Sequence, residues 1–598
     1  MSIFVAKSFA KTLTNFLING IIYMSIIFWR ILMKEKFKSW AFSKEHGKCD
    51  VITLIIYLLG VCTVSFFHEP WFDEAQAWAI ARSGTIKEIL FEIPHYEGHP
   101  PLWHLILTPF AKLGAPYELS LAAVNIFFMT LAVAVLLFKS PFPKLIRCLL
   151  PFNFFLFYQY GVVSRPYCIF VLAIFLAAVC YKNRNKHPVK YLLCLALMCA
   201  VHSYGIIIAG CLCIAWLIEI FTEYKKSGKL ADILKDRRCW LMFCLLILAV
   251  LILISIMPES DVYVGGKTNK NDNFSLSVGV LNFVVWFVLL TESFLTSFFD
   301  YNGITATTSN TIAMALVAIP VFILLVTFIH KNKKTLMFVL TYGVLAVFSS
   351  IVYMSPHHVG IFTSLVIFTL WTMLDEYDKV EIPEYLLKIY NSVNSKLQCV
   401  LKFIVSLALI IPVLWSCVSS YYDVRYAYWC NEAADFIKEY HLDDYKIMGY
   451  WQTIPKSDFD SDDFWCIDEE DYEWIDFPNL QGLSVAIDPY FDHNIFYNFN
   501  IDDPDKTYQD HKTNTQEQAE EEFAKWRGQG EPDVVIERCE ITKAYPDIDV
   551  DDYVAVKRIY FYKPYKFETY DQYITIYVTK DLFNKIGTLE ELTAKKLY

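Results

Sequence analysis

Apolar runs of membrane-crossing length recur along this chain, each followed by a short polar stretch, and their order predicts a polytopic bundle of α-helices. The predicted crossings are 51–67, 117–138, 145–161, 164–181, 189–203, 205–221, 239–257, 310–330, 335–353, 358–374 and 401–420. The run 12–33 reads as an uncleaved extra helix that spans or lies at the interface, and 276–299 as a re-entrant or interfacial hairpin, which gives about 10–13 transmembrane helices. The stretch "LWHLILTPFAKLG" (102–114) is too short to span and reads as a juxtamembrane helix. After residue 420 the pattern changes. "NEAADFIKEYH" has helical periodicity, whereas "YKIMGYW", "EPDVVIE", "YVAVKRIYFY" and "QYITIYV" read as strands, so a soluble α/β or α+β domain is expected over 421–598.

Composition supports that division. The chain has 598 residues, 55% of them hydrophobic, 17% aromatic and 19% charged. Its net charge of −11 conceals two unlike parts: residues 421–598 hold 39 acidic and 18 basic side chains, against 24 and 34 before them. A basic membrane body with an acidic water-soluble domain argues against a nucleic-acid partner. The sixteen cysteines show no CxxC spacing, and many sit within apolar runs, where they act as small hydrophobes.

Lysine and arginine fix the expected orientation. "KEKFKSWAFSKEHGK" (34–48), "YKNRNKHPVK", "EYKKSGKLADILKDRR" and "HKNKK" all fall on one side, taken as cytoplasmic, with residues 1–48 as an N-terminal helix and basic segment. The membrane domain is then 49–420, with 68–116 as its first exoplasmic loop and the acidic tail also outside. With no recognisable retention signal at "TAKKLY", a bacterial inner membrane is the expected home. Asp73, Glu74, Glu97, His99, Arg165, His202, His357 and His358 then all fall at outer ends of crossings. Ionisable groups gathered on one face suit a catalytic surface, whereas transporters more often place them near the midplane.

Each of these residues has a structural and a chemical reading. In "WFDEAQAWAIAR", Asp73 suits a helix N-cap and Glu74 the first turn, yet either carboxylate also suits deprotonating an acceptor hydroxyl or holding a divalent metal. In "YEGHPPLWH", Gly98 turns the chain, the prolines start a helix and Trp103 anchors it at the interface, while Glu97 and His99 remain for acid–base or metal chemistry with Asp73. Arg165 in "YGVVSRPY" is a snorkelling arginine or the partner of an anionic lipid phosphate. His202 in "AVHSYG", with His357 and His358 in "SPHHVG", are helix-end histidines or donors to that phosphate.

Taken in order, "WFDEAQAWAIAR", "YEGHPPLWHLIL", "QYGVVSRPY" and "VHSYG" resemble the GT-C superfamily of membrane glycosyltransferases over roughly residues 50–375. The likeness is to the bacterial branch with lipopolysaccharide-core transferases of the Rgt type and aminoarabinose transferases of lipid A, and more distantly to protein O-mannosyltransferases. Its specific part is the Asp-Glu pair followed by the Glu-x-His-Pro-Pro turn. The resemblance implies inverting transfer of a sugar from a polyprenyl-phosphate donor to a glycan, lipid or protein acceptor on the exoplasmic face. It implies Asp73 as general base or metal-holding carboxylate, Glu74 as its partner, Glu97 and His99 as a second cluster, and Arg165 on the donor phosphate. Many relatives carry an arginine before the late histidine, where this chain has Pro356; His357, His358 or Lys267 would then substitute. A transporter or flippase of lipid-linked substrates, or a non-catalytic scaffold, is the competing expectation. The tail is expected to cover the catalytic face and to select acceptors; its acidic loops 458–474 and 545–553 suggest cation binding only by composition.

Overall fold

Helices dominate the computed structural model because the apolar runs are too long for strands and must satisfy their backbone groups internally. The structure describes residues 35–262, 308–351, 356–376, 383–392, 394–426, 430–449, 477–478, 482–514, 516–537, 549–561 and 572–592. The expectations for 12–33, 276–299, Lys267 and the acidic loop 458–474 lie outside these residues.

Among the described residues, five helices are long and apolar enough to cross a membrane: Lys48–Phe67, Tyr117–Lys139, Ser203–Ser227, Arg237–Ser255 and Val359–Glu376. Of the shorter apolar helices, Tyr167–Tyr181 fills the interior and Pro188–Val201 buries one face. Burial sorts these elements by position. In Tyr167–Tyr181 nearly every side chain is buried, so that helix is the axis of the bundle, whereas Arg237–Ser255 buries only Met242, Leu245 and Ala249. That spacing leaves a helix with one narrow protein-facing stripe and apolar residues elsewhere, as expected for one side facing lipid.

The crossing expected over 145–161 is not one helix. It is a short α-helix at Lys144–Leu149, a 3-10 turn at Leu150–Phe152 and a π-helical turn at Phe155–Gln159. Pro151 cannot donate into an α-helical ladder, so the run breaks there although its hydropathy is continuous. Irregular backbone at this depth needs side-chain partners, and it has them: Tyr57 Oη donates to the Leu156 carbonyl (2.9 Å), Asn125 Nδ2 to the Tyr160 and Gly161 carbonyls (3.1 and 3.0 Å), and Ser416 Oγ to the Phe152 carbonyl (2.8 Å). Gly161 is required by packing, since a Cβ there would lie 2.8 Å from the Tyr57 hydroxyl. The segment ends in the turn that carries Arg165.

Charge is locked at the end of the bundle away from that turn. Arg147 is fully buried, bonds Asp50 through Nε (3.0 Å) and donates to the Lys44, Phe142 and Glu45 carbonyls. Arg184 pairs with Glu219 and Glu376, and Lys334 with Glu376 (2.6 Å). Both Arg184 and Lys334 lie over the ring of Tyr181, at the far end of the axial helix from Tyr167.

Among the described residues, the tail forms six short strands: β1 (Ile447–Gly449), β2 (Phe477–Pro478), β3 (Thr513–Asn514), β4 (Val534–Glu537), β5 (Tyr553–Phe561) and β6 (Gln572–Thr579). Four make a sheet in the order β1-β4-β6-β5, with β1 parallel to β4 and the other pairs antiparallel; β2 and β3 form a separate pair. The β1–β4 pairing requires a crossover, and the helices Gly482–Ile487 and Gln516–Arg527 lie between those strands in sequence. The tail packs directly on the helical body. One contiguous apolar core runs from Tyr57 to Leu589, and Glu69 accepts from the Cys430 and Asn431 amides, satisfying the first turn of the helix Cys430–Glu439.

Candidate active site

The segment after the helix Lys48–Phe67 folds into the helices Phe72–Ser83, Ile86–Phe91, Ile93–Glu97 and Leu102–Lys112. Gly98 caps the third in the left-handed region (φ 65°), and Pro101 immediately precedes the fourth. Trp103 is buried at 2% exposure. It packs in the core and is not the interfacial anchor expected from sequence, because it lies on the side of its helix that packs against Phe72–Ser83 and the bundle.

The adjacent carboxylates of Asp73 and Glu74 have separate fates. Trp71 is the N-cap residue of the helix Phe72–Ser83, so Asp73 does not hold the expected N-cap position. Glu74 does the capping instead. Its Oε2 accepts from the Trp71 amide (2.8 Å), its Oε1 accepts from the Ser164 amide (2.6 Å), and His68 Nε2 lies 3.1 Å away. Glu74 is 1% exposed, while the Asp73 side chain is 43% exposed and pairs with Arg165. A helix turn places neighbouring residues about 100° apart. One carboxylate therefore faces inward to build the loop, and the other faces outward beside a cation.

Behind this pair lies a nest of rings from five segments. The Arg165 guanidinium is 6.0 Å from the centroid of Tyr167, which packs against His202, His357 and His358. His99 contacts His202 with ring centroids 4.8 Å apart, and His202 contacts His358 at 5.8 Å. Tyr160 donates to the His357 carbonyl (2.8 Å). The Tyr204 amide donates to His202 Nδ1 (3.3 Å), which puts the imidazole proton on Nε2; that buried nitrogen has no hydrogen-bond partner among the described residues. It is a donor held ready inside the nest. Burial, assisted by the charge of Arg165, pushes His99 down to about 4, so its ring is neutral at pH 7.

Glu97 faces the tail. It lies 3.0 Å from His511 Nδ1 and accepts from Gln76 Nε2 (2.9 Å). Gln76 also clamps the tail backbone, accepting from the Gln509 amide (2.9 Å) and donating to its carbonyl (2.7 Å). Burial alone would raise the Glu97 pKa, but the charge and hydrogen bond of His511 hold it at about 2; His511 is correspondingly raised despite its burial, by Glu97 and then Asp73. The signs set a window. The Glu97 contribution to docking is present above the ordinary carboxylate value and lost as pH falls through about 2. That of His511 is full below an ordinary imidazole value and lost as pH rises through its raised one. Hydrogen exchange at the Gln509 amide, corrected for its intrinsic pH dependence, is expected to accelerate several-fold above that raised value, and to show no such step in His511→Gln.

Asp73, Arg165, His99, His202, His357 and His358 are therefore linked by direct contacts, with Glu97 beside them and Glu74 behind. The sequence reading did not find His68, Glu69, Gln76, Tyr167, Asp423 or His511. His68 and Glu69 carried a signal, being ionisable residues at the exit of a crossing; His511 carried none. The possible metal donors Asp73, Glu97 and His99 do not form a metal-holding group, and among the described residues no cluster of three or more His, Cys, Asp or Glu does. Arg165 takes the carboxylate of Asp73, and His511 with Gln76 that of Glu97.

No protein-family model matches the chain, and no curated protein matches it. Among solved structures it is similar to the crystal structure of ArnT from Cupriavidus metallidurans bound to undecaprenyl phosphate, with 11% identity and a TM-score of 0.45, over 89% of this chain and 98% of that one. At that distance the likeness assigns no residue a role.

Proposed function

We propose that this protein is a membrane glycosyltransferase that moves a sugar from a polyprenyl-phosphate donor to an acceptor on the exoplasmic face, with Asp73 as general base. The observation that carries this reading is the pairing of a half-exposed carboxylate, Asp73, with Arg165 at the mouth of a histidine and tyrosine nest between apolar helices. A lipid-linked donor presents three unlike parts: an apolar tail, a phosphate anion and a sugar. The nest offers apolar walls for the first, Arg165 and the His202 Nε2 donor for the second, and the solvent-facing side of Asp73 for the third.

In the proposed step an acceptor hydroxyl attacks the anomeric carbon and its proton passes to Asp73. The bond from that carbon to the phosphate oxygen breaks with inversion, and the electron pair leaves on the polyprenyl phosphate. Arg165 and His202 meet the anion as its charge develops. Neutral histidines suit this role, because a donor that does not titrate near pH 7 leaves the site's charge to Arg165. Glu97, His511 and Gln76 hold the tail over the acceptor side, where the tail helps to select the acceptor. The test is sugar release from a panel of labelled polyprenyl-phosphate sugars by the purified full chain; no turnover of any donor would remove the reading.

Arg165→Ala is expected to raise the donor KM about 10- to 100-fold, the scale of losing one hydrogen-bonded charge contact. Affinity for an unglycosylated polyprenyl phosphate should fall by the same factor. A fall in kcat with unchanged binding of the phosphate lipid would instead make Arg165 a partner of Asp73 alone.

A further inference from the structure

The basic motif "HKNKK" at 330–334 joins the helices Thr308–Lys331 and Thr335–Ile351 and has no part in the chemistry above. Thr335–Ile351 has 17 residues, about 25 Å at 1.5 Å per residue. His357 and His358 follow its other end, so this motif lies across the bundle from Asp73. Its three lysines divide. Lys334 turns inward to Glu376 and Tyr181. Lys333 sits in the left-handed region (φ 57°), which reverses the chain, and both Lys333 and Lys331 remain exposed.

Beneath them is a groove of about 850 Å³. His330, Lys331, Lys333 and Thr335 form its rim, with the Thr335 hydroxyl 3.0 Å from His330 Nδ1, and Leu336 and Val339, exposed at 46% and 42%, form its wall together with Leu340. The groove is open along its length, which suits a chain lying on the surface rather than an enclosed small molecule. Its polarity is that of one lipid molecule: cations and a hydroxyl at the end of a helix pair, then aliphatic side chains in the first and second turns of the following helix.

We infer that this groove is a binding site for an anionic phospholipid, with the headgroup phosphate on Lys331, Lys333 and Thr335 and an acyl chain along Leu336 and Val339. Charge complementarity selects the anionic lipid, since a zwitterionic headgroup would bring its own cation against the two lysines. The inference is independent of the catalytic reading. Each lysine near a lipid phosphate contributes on the order of 1 kcal/mol, so removing both is expected to cost about 10- to 30-fold in relative affinity.

The experiment is native mass spectrometry of the full chain in detergent, titrated with equal amounts of phosphatidylglycerol and phosphatidylcholine. Wild type should retain phosphatidylglycerol about tenfold over phosphatidylcholine at one site. Lys331→Gln/Lys333→Gln should bring that ratio near one, while Lys225→Gln/Lys226→Gln, exposed lysines at the same end of the bundle, should leave it unchanged. Leu336→Trp/Val339→Trp fills the wall but keeps the charges, and should also abolish retention. A single unfolding midpoint for all variants in phosphatidylcholine nanodiscs shows that folding is not the cause. Equal retention by wild type and the lysine variant overturns the site. An unchanged ratio in the tryptophan variant overturns the lipid and leaves a headgroup or free anion on the surface.

Discussion

Asp73→Asn is expected to lower kcat about 10³-fold, within the range supplied by a positioned general base, and to leave donor binding nearly unchanged. The substitution keeps the side chain's size and removes its ability to take a proton. It should leave the protein folded, because Asp73 is half exposed and the asparagine oxygen can still accept from Arg165, whose side chain is 12% exposed. Glu74→Gln makes the contrast. Glu74 is buried under the Trp71 amide, the Ser164 amide and His68, and the amide's NH2 group would meet one of these as a second donor. That variant is expected to lose thermal stability along with turnover. The check is a pair of measurements on each variant, single-turnover sugar transfer and unfolding midpoint. An active Asp73→Asn enzyme would move the base to Glu97, and a stable but inactive Glu74→Gln enzyme would make Glu74 part of the chemistry.

That contrast marks the limit of the sequence. Two adjacent carboxylates at a membrane exit are plainly visible in "WFDEAQ", but which one faces solvent depends on the helix start at Phe72 and on the turn at Ser164, ninety residues on. The five long apolar helices among the described residues followed from hydropathy because length and apolarity decide them. The break within 145–161 did not, since hydropathy is blind to whether Asn125, Tyr57 and Ser416 stand ready to satisfy an irregular backbone. The tail strands were legible from alternation, and the mixed order β1-β4-β6-β5 was not. Arg165 was singled out because an arginine on the face expected to be outer runs against the positive-inside rule, and it is the residue that pairs with Asp73. His511 was out of reach: its meaning comes from Glu97, more than four hundred residues away, through a clamp that Gln76 makes with the tail backbone.

His68→Ala is expected to be among the most destabilising single changes in this protein, by about 3–5 kcal/mol, the cost of removing one member of a buried ion pair. His68 Nδ1 lies 2.8 Å from Asp423 and Nε2 lies 3.1 Å from Glu74, and all three are buried. Burial disfavours the charged ring, yet the two carboxylates raise its pKa well above the ordinary imidazole value, so the ring bridges them as a cation. Its contribution is full below that ordinary value and lost as pH rises through the raised one. Without the ring, two carboxylates face a space neither can share in its charged form. Asp423→Asn added to His68→Ala should therefore recover part of the loss, a coupling that independent sites would not show. The unfolding midpoints of the two singles and the double, taken at one scan rate and about pH 6, below the raised value, check this; strict additivity would dissolve the network. The same residues connect stability to chemistry. Asp423 belongs to the helix Ser395–Tyr426, Glu74 caps the helix that carries Asp73, and Ser164 precedes Arg165. Loosening His68 should thus lower turnover in the fraction that stays folded, by letting Asp73 and Arg165 move relative to each other.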